Sequence, residues 1–234
     1  MGTAYSAQLS VLEALILGRS ILDVGCGVGV FLSVAKKRNW NVRGVDASEN
    51  AAYFAMKHFG IEYSSTLDDF ENSTFDAIRI SHVLEHVPEP KPFLIKLHGL
   101  LKPNGTLAII IPNREPLCAT IINRLRSAFA ERPKLVGAIY PDMHVLGFST
   151  KSLSQLVAPL GFKAIQLFTI SMGNATYFPM FYDGLLTRTP IRKIPIKSLV
   201  KYHLPMIIDN LGNTFNKGQW IVGYFRKEPA ASNL

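Results

Sequence analysis

The stretch Ile21-Leu-Asp-Val-Gly-Cys-Gly-Val-Gly-Val-Phe31 joins a short apolar run directly to three alternating glycines. It reads as a buried strand, a tight loop and the start of a helix. Gly25, Gly27 and Gly29 lack Cβ atoms, so the backbone can turn sharply and a ligand can come against its N–H groups where the helix begins. A dinucleotide fingerprint needs a glycine three positions after its second one, and that position holds Val30, which weakens a nicotinamide or flavin reading.

The segments around this loop alternate between two hydrophobic periods. Leu9, Leu12, Leu15 and Ile16 recur at helical spacing ahead of Gly18 and predict a short amphipathic helix flanking the ligand site. After the loop, a helix runs to Lys36-Lys37-Arg38, whose charges suit a helix C-terminus. Asn41 to Val45 is a second strand, a helix covers 48–59, and Ile61 to Tyr63 is a short third strand. Phe75 to Ile80 is a fourth strand, residues 91–101 form an amphipathic helix stopped by Pro103-Asn-Gly105, and Thr106 to Ile111 is an apolar strand of the kind buried on both faces. Gly161 to Ile170 and Gln219 to Arg226 supply two later strands. Such alternation predicts an α/β fold, with a parallel sheet, helices on both faces and a ligand at the carboxyl ends of the strands.

The second strand ends at Asp46, seventeen residues after Gly29, where a Rossmann-like fold places its ribose-binding acid. A carboxylate there accepts from both ribose hydroxyls. The competing role, capping the helix that starts near Ser48, is compatible with it.

Charge divides unevenly along the chain. Residues 1–111 hold ten Lys and Arg against eleven Asp and Glu, whereas 112–234 hold fifteen against six. The basic half suggests an anionic partner, such as a phosphorylated or lipid substrate, a membrane surface or RNA, with a solvated basic face as the alternative. No uncharged apolar run of about 18 residues occurs and no signal peptide is visible, so a cytoplasmic location is expected. Met1-Gly2 with Ser6 formally fits a short myristoylation pattern. Cys26 and Cys118 lie far apart, one inside the glycine loop, which fits a reduced compartment and no cysteine metal site.

Asp23-x-Gly25-x-Gly27-x-Gly29 after a strand resembles the first motif of the class I S-adenosylmethionine-dependent methyltransferases. Phe75-Asp76, His82-Val-Leu-Glu-His-Val87, Leu100-Leu-Lys-Pro-Asn-Gly-Thr106 and Ile111-Pro-Asn113 follow in the order of one group among them, which includes the ubiquinone-biosynthesis O-methyltransferases. The resemblance covers about residues 19–113 and returns more weakly at Pro141 to Thr150 with Gly161-Phe162. It implies a Rossmann-like sheet of seven strands, mostly parallel with an antiparallel last strand. The expected organisation is a single methyltransferase domain over 1–234, elaborated on the acceptor side at about 112–148 and 171–218.

The same resemblance implies S-adenosylmethionine as cofactor and S-adenosylhomocysteine as product. Gly25 and Gly27, with Cys26 between them, would meet the methionine part, and Asp23 would help fix its amino end. Asp46 with Ala47 would hold the ribose, Thr66 and Leu67 the adenine side, and Ser81 and His82 the region of the sulfonium. No Asn-Pro-Pro-aromatic run follows the fourth strand, which disfavours amino methylation of nucleobases.

Transfer to oxygen is helped by a general base, and imidazole titrates near working pH. The candidates are His144, His82 and His86. His144 has the best spacing into an acceptor-side loop; the alternative is a hydrogen-bonded loop histidine, and His86 reads more readily as structural. His82, Glu85 and His86 share one face of a helical turn and resemble a metal-binding turn of some relatives. Those carry an acid where His82 stands, so no metal is expected.

The predicted function is methyl transfer to a small or lipid-like acceptor, on oxygen. An RNA or protein methyltransferase is the rival among enzymes, made less fitting by the absence of a dense Arg/Lys run, so nucleic acid is not expected as a partner. A non-catalytic cofactor-binding or scaffold protein of the same fold is the rival outside them. The aromatic and basic residues of 176–207, among them Tyr177, Phe178, Arg192 and Lys193, suggest peripheral contact with a membrane, although Pro179, Pro190, Pro195 and Pro205 exclude one long amphipathic helix.

Overall fold

The computed structural model describes residues 2–128, 144–171, 208 and 210–228. Strands β1 (Ser20–Val24), β2 (Asn41–Val45), β3 (Glu62–Ser64), β4 (Phe75–Ser81), β5 (Leu101–Pro112), β6 (Phe162–Ile170) and β7 (Trp220–Lys227) form one sheet in the order β3-β2-β1-β4-β5-β7-β6. The pairings from β3 across to β5 are parallel, and β7 runs antiparallel between β5 and β6. The expected Rossmann-like sheet, mostly parallel with a reversed last strand, is therefore present.

Alternation within the strands distributes the core over both faces. Leu22, Ile78, Ile80, Leu107 and Ile109 pack against α4 (Pro90–Leu100) and α6 (Thr150–Val157) through Leu94, Leu97 and Leu153. Their neighbours Ile21, Val42, Ala77, Ala108 and Ile110 face α1 (Gly2–Leu15), α2 (Val30–Lys37) and α3 (Glu49–Phe59), meeting Leu9, Leu12, Phe31, Leu32 and Ala55. Helix α3 is capped by Ser48, whose side chain accepts the Ala51 N–H, and ends at Gly60 in the left-handed region with φ 58°. Helix α6 carries a reciprocal cap between Ser149 and Ser152.

Three local expectations are corrected. The third strand starts at Glu62 rather than Ile61, because the pairing with β2 begins at Arg43 and Glu62, while Ile61, 1% exposed, packs beneath Gly29. Strand β5 begins at Leu101, which pairs with Phe75 before an irregularity, and the ladder resumes at Thr106. Helix α5 (Leu117–Ala128) falls within the expected elaboration and α6 within the weaker resemblance around 141–162, where no helix was read. Residues 129–143 and 172–207, and with them most of the basic-aromatic stretch at 176–207, lie outside the described residues. Among the described residues no helix is long and apolar enough to cross a membrane, and both cysteines are buried and outside any disulfide.

Candidate active site

Strand β1 delivers the chain into the loop at the carboxyl edge of the sheet, and the three glycines take φ values of 73°, 51° and 77°. Side chains rarely adopt this region, so the turn requires glycine. At Gly25 a Cβ would also meet Val83 Cγ2 at 2.4 Å, whereas at Gly27 it would meet nothing within 4 Å. The loop's apex is thus open to a ligand.

Its amides are largely committed within the protein. The N–H groups of Gly25 and Cys26 donate to the Val45 carbonyl at 2.7 and 3.0 Å, and Gly29 N–H donates to the Cys26 carbonyl at 3.0 Å. Gly27 N–H donates to Asp46 Oδ2 at 2.7 Å, while Asp46 Oδ1 accepts the Ser48 N–H at 2.9 Å. The glycine loop therefore offers room and shape rather than these donors, a correction to the sequence reading. Asp46 is pinned by two amides, and each carboxylate oxygen keeps a lone pair for a hydroxyl donor. It does not cap α3, since Ser48 holds that position.

Asp23 lies one layer deeper. It is 1% exposed and accepts from Arg79 Nη1 at 2.8 Å, across the β1–β4 register that places the two residues side by side. Arg79 is held in turn by Gln8 Oε1, which accepts from its Nε at 3.0 Å, and by the Phe31 ring, 4.2 Å from the guanidinium carbon. Burial pushes the Asp23 carboxyl above its ordinary value despite the Arg79 charge. Nothing in the motif announced this pair, because Arg79 belongs to a strand distant in sequence.

A cleft of about 720 Å³ opens over β1, β2 and β4, within the range of small-ligand sites, roughly 300–1,000 Å³. It brings together Gly25, Asp46, Ala47, Thr66, Leu67 and His82 of the expected cofactor residues, together with His86. Asp23, Cys26, Gly27, Ser81 and His144 do not line it. Cys26 is turned inward, 8% exposed, and burial beside Asp23 and Asp46 pushes its thiol up to about 12. The sequence reading missed Phe93 and Lys96 of α4, which close the far wall. Lys96 pairs with Asp68 at 2.9 Å on the rim and holds that carboxyl below the ordinary range.

Beside the cleft the chain leaves β4 through His82, whose φ of 58° places a non-glycine residue in the left-handed region. The ring packs edge-on to Trp220 at 4.7 Å. Glu85 follows in a single turn, 1% exposed, with neither carboxylate oxygen hydrogen-bonded, and with His82 Nδ1 3.4 Å from Oε1. Its backbone carbonyl accepts the N–H groups of Val145 and Leu146 at 2.9 and 3.0 Å, which brings the loop carrying His144 onto this turn. The His86 and His144 rings lie 5.0 Å apart. One donor atom from each of Glu85, His86 and His144 falls within 4.8 Å of the others, a set that can exchange a proton or accept a cation. Burial lowers the His144 imidazole below its ordinary value, outweighing the opposite effect of Glu85.

The sheet order with its reversed seventh strand, the glycine turn after β1 and the acid after β2 define a class I S-adenosylmethionine-dependent methyltransferase fold. A solved structure of a SAM dependent methyltransferase from Archaeoglobus fulgidus superposes with a TM-score of 0.60 over 95% of this chain and 92% of that one, at 18% identity. A 1,6-didemethyltoxoflavin-N1-methyltransferase from Burkholderia thailandensis, solved with bound S-adenosylhomocysteine, gives a TM-score of 0.58 over 97% of this chain and 80% of that one, at 15% identity. The chain belongs to the family described as a methyltransferase domain, whose sequence model matches residues 3–167. Among curated proteins, the ubiquinone biosynthesis O-methyltransferase of Actinobacillus pleuropneumoniae serotype 7 is 36% identical over 112 residues, 42% of this chain and 48% of that protein. The chain spans about half the length of the curated relatives it matches.

Proposed function

We propose that this enzyme transfers a methyl group from S-adenosylmethionine to a hydroxyl oxygen of a small or lipid-like acceptor. The observation that carries the reading is the doubly anchored Asp46 carboxylate on the wall of a cleft whose opposite side is the His82–His86 turn. Asp46 with Ala47 would bind the ribose diol, and Thr66 and Leu67 would border the adenine. Gly25, Cys26 and Gly27 would shape the methionine end, with Asp23 acting from beneath them and Ser81 and His82 beside the sulfonium. The cofactor, when bound, supplies a methyl group already activated on sulfur, so the chain's work is positioning, excluding water and accepting a proton. An imidazole among His82, His86 and His144 takes that proton; lowered by burial, His144 is neutral and able to accept at neutral pH.

Resemblance to ubiquinone biosynthesis O-methyltransferases favours oxygen over nitrogen or carbon as acceptor atom. The assay is calorimetry with S-adenosylmethionine, followed by transfer of a labelled methyl group to catechol and, for comparison, to an aromatic amine. Binding with labelling of catechol is the expected result. No heat of binding at millimolar cofactor, or labelling of the amine alone, refutes the proposal. For 176–207, co-sedimentation with anionic vesicles tests membrane contact, and recovery of all protein in the supernatant counts against it.

A further inference from the structure

Lys96 has no part in the function described above, yet it joins one wall of the cleft to the other. It stands one turn after Phe93 on α4, so the two side chains share the helix face that borders the cleft. The opposite wall runs from β3 through Thr66 into the short turn Leu67–Asp69. Both feet of that wall are tied down. Thr66 N–H donates to Ser64 Oγ at 3.1 Å, and Thr66 Oγ1 accepts the Asp68 N–H at 3.2 Å. Further on, Ser73 and Thr74 donate their N–H groups to the carbonyls of Gly99 and Leu100 at the end of α4, both at 2.9 Å. Between these anchors Lys96 Nζ meets Asp68 Oδ1 at 2.9 Å. The Asp68 side chain is 82% exposed, so the pair adds little to the stability of the fold. Its place is what counts, because both partners line the cleft and each comes from a different wall.

We infer that the Lys96–Asp68 pair is a strap across the adenine end of the cleft that gates exchange of S-adenosylmethionine. The inference rests on the proposed placing of the adenine beside Thr66 and Leu67, and it adds what controls passage there. Asp68 follows those two residues directly, so the strap closes the end of the cleft that the adenine would occupy. A strap of the same strength before and after binding carries no differential energy between the two states. It therefore slows entry and release alike and leaves the equilibrium affinity where it was. Charge holds it shut, so salt loosens it.

The test uses the full chain with Lys96→Met, Asp68→Asn, the double variant and Lys96→Arg. Stopped-flow tryptophan fluorescence follows binding and release of S-adenosylmethionine, with Trp220, packed on His82 at the cleft, as reporter. In Lys96→Met and in Asp68→Asn both rates should rise about 2- to 5-fold, the range an exposed ion pair can supply, with the calorimetric Kd unchanged. The two substitutions alter net charge in opposite directions, so a rise in both does not come from long-range steering of a cationic cofactor. The double variant should be no faster than either single one, since the same strap is lost in each, and Lys96→Arg should keep the slow rates. Potassium chloride at about 1 M should speed exchange more in the unsubstituted protein than in Lys96→Met. Unaltered rates in the two single variants overturn the inference. So does a weakened Kd with an unchanged association rate, because Lys96 or Asp68 would then touch the cofactor itself. If S-adenosylmethionine does not bind at all, the cofactor reading falls and the strap with it; binding at unaltered rates removes the strap alone.

Discussion

Replacing Arg79 by Met isolates the price of the charge buried under the glycine loop. Methionine keeps apolar contact with Phe31 but removes the guanidinium that donates to Asp23, leaving a 1% exposed carboxylate opposite an apolar chain. Breaking a buried pair from one side typically costs about 3–5 kcal/mol. An independent ceiling comes from protonation, since Asp23 can avoid the buried charge by taking up a proton. From an ordinary value of 3.8, staying neutral at pH 7 costs ~4 kcal/mol, and at pH 5 only ~1.6 kcal/mol. For a chain of 234 residues, the loss at pH 7 corresponds to a fall in Tm of roughly 8–16 °C.

The pH dependence carries the sign. Burial already raises the Asp23 carboxyl in the folded protein, so the folded state binds that proton more tightly than the unfolded one. Its contribution to stability is greatest below the unfolded value and declines as pH rises towards the folded value. In Arg79→Met the folded value moves higher still, and the decline extends further towards neutrality. Thermal and urea denaturation at pH 5 and pH 7 measure this directly. The double variant Asp23→Leu with Arg79→Met should recover most of the loss, because both charges are then gone. A destabilisation equal at the two pH values, or one below about 1 kcal/mol at pH 7, would refute the account of Asp23 as a buried charge held by Arg79.

Asp46→Ala should weaken S-adenosylmethionine by roughly 1.5–3 kcal/mol, about 10- to 150-fold in Kd by calorimetry, if its charge-assisted bonds reach the ribose; unchanged affinity removes Asp46 from the cofactor site. Gly25→Ala combines a left-handed φ of 73° with a Cβ 2.4 Å from the stiff Val83 side chain, so a loss of about 2–4 kcal/mol is expected in urea denaturation. With its thiol pushed up to about 12 and 8% exposed, Cys26 should react with a disulfide reagent at pH 8 only at the rate of unfolding; rapid modification of the native protein at Cys26 would contradict this burial.

Local pattern made much of the donor side legible. Apolar runs of strand length, the alternating glycines and an acid closing the next strand are short-range features, and their spacing survives into β1, α2 and β2 almost residue for residue. The order of motifs then carried the family resemblance and the reversed last strand, which pairing confirms. Weak or irregular local signals were misjudged. Ile61 looked like strand but lies ahead of the first ladder pair, and α5 and α6 went unread as helices.

What the chain determined by itself was the alternation of elements, the glycine turn and the position of Asp46, because each depends on neighbours a few residues away. Tertiary structure alone decided that the loop's amides are spent on Val45 and Asp46, that Arg79 faces Asp23, and that Phe93 and Lys96 wall the cleft. It alone brought His144 to Glu85, through carbonyl bonds spanning some sixty positions of sequence from 85 to 145 and 146. Such contacts follow from strand register and from which helix covers which face, and no local pattern encodes them. The buried carboxylate of Glu85, with His82, His86 and His144 around it, exists only once those faces have closed.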